Sequence, residues 1–209
     1  MKKQFKNFSF ALLSLGFLAF LSSCSKDDPD PEIPQEEIGG AKLTFTEVEW
    51  HGDHADDIEN PEIVEVEFDE AGLPPVGAHL HLDVGKTYRL ELKAYDFAGR
   101  ESQQEFIEEA HIHQLFFLGA PEGVLDYQYA DPDNVQVGVT GYLHVLKTSE
   151  SFVFNVILRH LNEGVKSNIT ADDWNNPNYT QFGGENDLDL KVEVHVVEGD
   201  HDHEDEHDH

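Results

Sequence analysis

Histidine is the residue whose number and spacing first indicate chemistry in this chain. There are 13 histidines among 209 residues, and four of them form two pairs with one residue between the members: His79 with His81, and His111 with His113. Alternate residues of a β-strand share a face and lie about 6.5–7 Å apart, so both imidazoles can reach one metal ion at about 2.0–2.1 Å. We predict metal ligands at these four histidines and at Asp83, which continues the first pattern. Two pairs on neighbouring strands would form a four-nitrogen site; the alternative is separate surface histidines.

A polar turn at residues 51–57 is a second candidate site. His51 and His54 alternate there with three aspartates, and imidazole and carboxylate together suit a transition-metal ion. We expect a loop site that shares its metal with His79 and His81. The alternative is a solvated loop.

The end of the chain, residues 198–209, has no apolar residue and cannot pack against a core, so we predict a disordered tail. Its four histidines alternate with acids: His201, His203, His207 and His209. Imidazole suits Zn²⁺, Cu²⁺ and Ni²⁺, and the carboxylates concentrate cations nearby. The composition is similar to that of the His/Asp-rich segments of zinc-uptake proteins. An acidic solubilising tail is the alternative.

The remaining histidines are assigned from the alternation of apolar residues. His160 has the same parity as Phe154 and Leu158, so we predict a hydrogen-bonded structural histidine on the core side. His144 is interpreted in the same way. His195 falls on the outward face of the last predicted strand, where it would extend a surface patch.

The start of the chain predicts export and lipid attachment. Three lysines precede an apolar run at residues 10–21, which is too short to span a bilayer comfortably. The tetrad Leu21, Ser22, Ser23 and Cys24 resembles the lipobox of bacterial lipoproteins. The resemblance implies a signal peptide at residues 1–23 and covalent lipid on Cys24, the only cysteine of the chain, which would anchor the protein to a membrane. An ordinary signal peptide with a chance cysteine is the alternative.

The residues after Cys24 indicate where in the cell the protein is exported. Residues 25–28 (SKDD) resemble the Lys-plus-acid export signal of surface-exposed lipoproteins of the Bacteroidetes type. That resemblance implies a lipid-anchored outer-membrane protein exposed at the cell surface; the alternative is one that faces the periplasm. Residues 24–40 are rich in Pro, Asp and Glu and are predicted to form a disordered, extended tether.

The charge of the chain excludes one class of partner. It has 13 Lys and Arg against 43 Asp and Glu. Three of the lysines lie in the signal peptide, so the mature chain carries 10 − 43 = −33. Such a chain repels phosphate backbones, which excludes nucleic acid as a partner. Nucleophile, phosphate-loop and zinc-protease motifs are absent from the sequence, so we predict that the protein is not an enzyme.

The elements that must position the histidines are predicted to be strands. Between residues 41 and 197 apolar residues alternate with polar ones, and Gly, Pro, Asn and Asp separate the runs. About eight short strands favour an all-β fold, an antiparallel, Ig-like β-sandwich. The only helix-like stretch is 102–110. The strands are predicted at 41–50, 63–68, 78–84, 87–94, 110–117, 135–146, 151–160 and 188–197.

Part of this body also resembles a family. Residues 108–117 (EEAHIHQLFF), 158–161 (LRHL) and 184–196 (GENDLDLKVEVHV) look like a recurrent family of uncharacterised Bacteroidetes-type lipoproteins. The resemblance covers roughly residues 85–197 and implies a sandwich fold and a surface lipoprotein, with no established activity. The histidine-rich region 51–81 departs from the family pattern, so a metal role would be particular to this branch.

Together these features predict an accessory lipoprotein that binds zinc, or copper as second choice, for handover to an outer-membrane transporter or for sequestration. A second hypothesis is a non-catalytic surface module that binds a glycan or a protein partner. Its site would be lined by aromatic residues: Trp50, Trp174, Tyr127, Tyr129 and Tyr179. A third is a structural lipoprotein whose histidines only buffer charge.

Overall fold

A computed structural model describes residues 37–199, and these residues confirm the all-β class. The signal peptide predicted at 1–23, Cys24, most of the tether, and the tail histidines His201, His203, His207 and His209 lie outside the described residues. Within 37–199, no helix is long and apolar enough to cross a membrane. In chain order the elements are β1 Gly40–Trp50, β2 Ala55–Asp57, β3 Ile63–Phe68, β4 His79–Asp83, β5 Thr87–Tyr95, α1 Gln103–Glu108, β6 His113–Leu118, β7 Leu125–Tyr129, β8 Thr140–Val145, β9 Phe152–Leu161 and β10 Gly184–Val197.

The strands form two sheets. A six-stranded sheet has the order β2-β1-β5-β8-β7, with β3 also paired to β1, and all its pairs are antiparallel. A four-stranded sheet has the order β4-β10-β9-β6. The prediction of purely antiparallel strands is wrong at one place, because β4 lies parallel to β10. The chain between these two strands is long enough to make the crossover that parallel neighbours need.

Both sheets contribute to one hydrophobic core. On β5 the predicted alternation is confirmed, since Tyr88, Leu90 and Leu92 are buried between half-exposed neighbours. Leu158 and Leu190 enter the same core from the four-stranded sheet. Each fully buried leucine contributes about 1.5–3 kcal/mol of transfer free energy. The core therefore holds the inner faces of both sheets in place.

The outer face of the four-stranded sheet is divided into two halves. Over β6 and β9, a second cluster joins Phe116 and Ile157 to Phe182, which belongs to the segment 162–183 that covers this half. Over β4 and β10 the outward side chains are polar and at least partly exposed. The exposed half carries His79 and His81, so the fold leaves this pair open to solvent.

Candidate metal sites

Three strands of the four-stranded sheet bring two imidazoles and a carboxylate together inside the protein. His113 on β6 lies directly opposite His160 on β9, with ring centroids 4.9 Å apart. Asp187 Oδ2 of β10 lies 3.8 Å from His113 Nε2 and 3.4 Å from His160 Nδ1. The side chains of His113 and Asp187 have no exposed surface, and that of His160 is 10% exposed. One potential ligand atom from each residue lies within 4.8 Å of the other two, close enough for a shared metal ion.

A β-bulge turns Asp187 into the interior. The register of β10 with β9 shifts between Asn186, which pairs with Arg159, and Leu188, which pairs with Leu158. Asp187 is the extra residue. Simple alternation would place it outward with Asp189, but a bulge locally reverses the alternation and re-aims a side chain.

The electrostatics of this cluster favour a neutral imidazole. Burial lowers the pKa of His113 to about 4, and the positive charge that His160 can carry acts in the same direction. Neutral imidazole is the form that binds a transition metal. Lys166 supports the backbone here, because its ammonium group donates hydrogen bonds to the carbonyl oxygen of His113 and to Gln114 Oε1.

A second cluster lies on the exposed half of the same sheet. The parallel pairing sets His81 of β4 beside His195 of β10, and His79 beside Glu193. The ring centroids of the three histidines are 4.8 Å apart for His79 and His81, 5.2 Å for His79 and His195, and 5.3 Å for His81 and His195. The predicted His79 and His81 pair therefore gains a third imidazole from the neighbouring strand.

Two contacts orient the rings of this cluster. His79 Nδ1 lies 2.9 Å from the carbonyl oxygen of Gly77, to which it can only donate, so its Nε2 is left with the lone pair that a metal requires. His195 Nε2 lies 3.3 Å from Glu193 Oε1, which can act as a further oxygen ligand after a small rotation. Asp83 lies on the same strand, but its carboxylate pairs with Lys86 at 2.7 Å. Asp83 is therefore a weaker candidate ligand than Glu193.

Of the polar segment at 51–57, residues 51–54 form the turn between β1 and β2, and residues 55–57 form β2 itself. His51 Nε2 lies 3.3 Å from Asp56 Oδ2, and the rings of His51 and His54 are 5.1 Å apart. These three residues have one ligand atom each within 4.8 Å of the others, and all are exposed. The hydrogen bond that His54 Nδ1 donates to the carboxylate of Asp53 raises the pKa of His54, so a proton competes with a metal for its imidazole. The hairpin belongs to the six-stranded sheet, whereas His79 and His81 belong to the other.

The four-nitrogen site suggested by the sequence does not form. β4 and β6 are opposite edges of the four-stranded sheet, with β10 and β9 between them, so the strands are about 14 Å apart at 4.7–4.9 Å for each step. His111 is not on a strand, because β6 begins only at His113 after the turn that follows α1. The side chain of His111 is 63% exposed and lies 3.6 Å from Glu163. His113, by contrast, is enclosed, and its near neighbour is His160.

Sequence reasoning missed three ligand candidates. His160 was assigned a structural role, and its parity with the core residues of β9 was the only signal of its position. His195 was placed correctly on the outer face, but its proximity to His81 depends on a parallel pairing that alternation does not encode. Asp187 carried no signal, since the bulge reverses its predicted direction.

The aromatic residues of the second hypothesis do not form one exposed surface. Trp174 and Tyr127 are buried in the main core. Tyr179 instead packs against Phe116 at 5.5 Å between ring centroids. Trp50 lies near Tyr142, with ring centroids 5.1 Å apart, on the other sheet.

No protein-family model matches this chain, and no curated protein or solved structure is significantly similar to it. The function is therefore inferred from the side-chain arrangement.

Proposed function

We propose that this protein is a lipoprotein of the outer membrane, held by lipid on Cys24 and exposed at the cell surface, that binds Zn²⁺ for handover to a membrane transporter or for sequestration. Cu²⁺ and Ni²⁺ are the competing ions, since both favour imidazole. The proposal includes an Ig-like β-sandwich as the arrangement of the two sheets. The observation that supports it best is the cluster of His79, His81 and His195.

The spacing of these three rings suits one ion. Imidazoles that bind a tetrahedral Zn²⁺ at about 2.0–2.1 Å hold their ring centres about 5 Å apart. The three observed separations run from 4.8 to 5.3 Å. The rings of His81 and His195 are stacked at 10° to one another, so these exposed side chains would have to rotate to direct one nitrogen of each ring to a common point.

Because the cluster is exposed, we expect it to exchange its metal ion with other proteins rather than to store the ion. His79 and His81 are exposed, and His195 is 39% exposed in its side chain. Three protein ligands leave a coordination position open, as in zinc sites that exchange ligands. A receiving protein can therefore contribute a ligand before the ion leaves. The net charge of −33 on the mature chain (10 − 43) raises the local concentration of cations around the site.

The His/Asp-rich tail would add further metal ligands next to the three-histidine cluster. His201 follows His195 by six positions, and β10 leads directly into the His/Asp-rich segment. A segment with no apolar residue to pack is expected to lose conformational entropy when it chelates, so its sites are expected to be weaker than the three-histidine cluster. Weak tail sites would collect ions that the cluster then holds.

The experiment is a zinc titration of the lipidated mature protein in detergent, against a competing fluorescent chelator. His195→Ala removes one imidazole from the cluster. His111→Ala is the matched control, because His111 is also exposed and near a glutamate but has no second histidine ring beside it among its described contacts. We expect His195→Ala to weaken the affinity for one zinc equivalent at least about tenfold. Even a residue that only hydrogen-bonds to a metal ligand changes metal affinity by about 10–100-fold. His111→Ala should leave the titration unchanged.

Deletion of residues 198–209 separates the tail from the cluster. The deletion should remove the weakest equivalents and leave the equivalent that depends on His195. Identical titrations for His195→Ala, His111→Ala and the parent protein would refute the proposed site.

A further inference from the structure

The interior cluster of His113, His160 and Asp187 has properties that the surface cluster lacks. We propose that it is a separate, enclosed site for one divalent transition-metal ion, Zn²⁺ in the first instance, which the protein retains instead of exchanging. This inference goes beyond the proposed function, because a retained ion would stabilise the fold and would not be handed over. The two ideas can fail independently.

The donor atoms already have nearly the required spacing. Two ligand atoms on a tetrahedral ion at about 2.0–2.1 Å are separated by about 3.3 Å. The distance from Asp187 Oδ2 to His160 Nδ1 is 3.4 Å, and the distance to His113 Nε2 is 3.8 Å. One ligand atom of each residue lies within 4.8 Å of the other two, so rotations of the side chains would be needed to bring all three to a common ion. Two imidazoles and one carboxylate form a common donor set for zinc.

The backbone is specially shaped to present the carboxylate. Without the bulge, Asp187 would point to the outer face like Asp189. An enclosed carboxylate is stabilised by opposite charge and by hydrogen bonds. A divalent ion between the three side chains would supply opposite charge directly beside the Asp187 carboxylate.

The interior site is distinct from the surface cluster. Asp187 and His195 lie on the same strand, eight residues apart, which corresponds to about 26 Å at 3.3 Å for each residue. Asp187 faces inward and His195 faces outward, so the two clusters lie on opposite faces of the sheet. Near-complete burial would slow the loss of an ion from the interior site. Chelators should therefore remove surface ions first.

Metal analysis after graded chelation tests the site. The lipidated mature protein is loaded with Zn²⁺, dialysed against a chelator of moderate strength, and assayed for zinc per chain. We expect one equivalent to remain in the parent protein and in the triple variant His79→Ala, His81→Ala, His195→Ala. Asp187→Asn should retain none. Asp189→Asn is the matched control, because Asp189 is the next acid on β10 and pairs with Lys191 at the surface; it should retain one.

Stability measurements distinguish a metal site from a structural polar cluster. Zinc at about a thousandfold excess over its Kd should raise the unfolding temperature of the stripped parent protein by roughly 8–16 °C. The rise should persist in the triple surface variant and vanish in Asp187→Asn. If the cluster is only a structural polar cluster, zinc should shift the unfolding temperatures of the parent protein and of Asp187→Asn equally or not at all.

Cobalt gives a spectroscopic readout at the same site. Co²⁺ bound in place of Zn²⁺ should produce visible absorption of a tetrahedral centre in the triple surface variant, and Asp187→Asn should abolish it. If Asp187→Asn fails to fold, His160→Gln is used for the same comparison. A parent protein that keeps no zinc after chelation but still binds the exchangeable equivalents would refute this inference alone. A parent protein that keeps one equivalent dependent on Asp187 but has no equivalent dependent on His195 would refute only the proposed function.

Discussion

Lys166 provides a quantitative test of how the interior cluster is supported. Its ammonium group donates to the carbonyl oxygens of His113 and Gln136 and to Gln114 Oε1. The substitution Lys166→Met removes all three bonds and keeps most of the aliphatic volume. The start of β6, which carries His113, would lose the hydrogen bonds that hold it in place.

Two opposing contributions set the size of the effect. A hydrogen bond to a charged group contributes about 1.5–3 kcal/mol, so three contribute about 5–9 kcal/mol if they are additive. Burial opposes this gain and lowers the pKa of Lys166 from 10.5 to about 8. That fall corresponds to about 3 kcal/mol against the charged form. The bonds outweigh the cost of burial, and we expect Lys166→Met to lower the free energy of unfolding by about 2–6 kcal/mol.

The assay is urea unfolding of metal-stripped protein followed by circular dichroism. Lys147→Met is the matched control, because Lys147 is exposed on the connection after β8. Its effect should stay within about 0.5 kcal/mol, as for most surface substitutions. Equal urea midpoints for Lys166→Met and Lys147→Met would show that the three bonds do not outweigh the burial of the ammonium group.

Two further predictions concern the anchor and the response to acid. Cys24→Ala should move the protein from the membrane fraction to the soluble fraction and abolish palmitate labelling; a protein that stays in the membrane fraction would contradict lipid attachment. Burial lowers the pKa of His144 below 6.5, so as the pH falls the unfolded chain takes up the proton first and stability is lost. Between about pH 7 and about pH 5, the parent protein should therefore lose more free energy of unfolding than His144→Gln, and equal losses would refute this assignment.

Local pattern was sufficient to predict much of the fold. Alternation identified β5 and β10 and placed His79, His81 and His195 on outward faces, because side-chain direction in a strand follows a period of two. The polar turn predicted at 51–57 is confirmed only up to residue 54, because residues 55–57 form β2. The short strands β2 and β7 were not predicted.

The positions of the other candidate ligands depended on contacts between residues that are far apart in the sequence. The proximity of His81 to His195 requires a parallel pairing between strands more than a hundred residues apart. The separation of His111 from His113 reflects the turn after α1, which delays the start of β6. The interior position of Asp187 comes from one extra residue in a long strand. Each depends on tertiary contacts that a single sequence does not reveal.

The extra residue Asp187 also changes which residues of β10 face the core on its two sides. Asn186 shares the outer face with Arg159, whereas beyond Asp187 the residues of the same even parity, such as Leu188, fill the core. Deletion of Asp187 would make Asn186 opposite Arg159 and Leu188 opposite Leu158 consecutive pairs of a regular ladder, so both halves of the strand would keep their faces. A deletion at a regular position between Leu188 and His195 would instead reverse the faces of the residues on one side of it. The strand should therefore tolerate a change of length at Asp187, with loss of the enclosed carboxylate, better than at its regular positions.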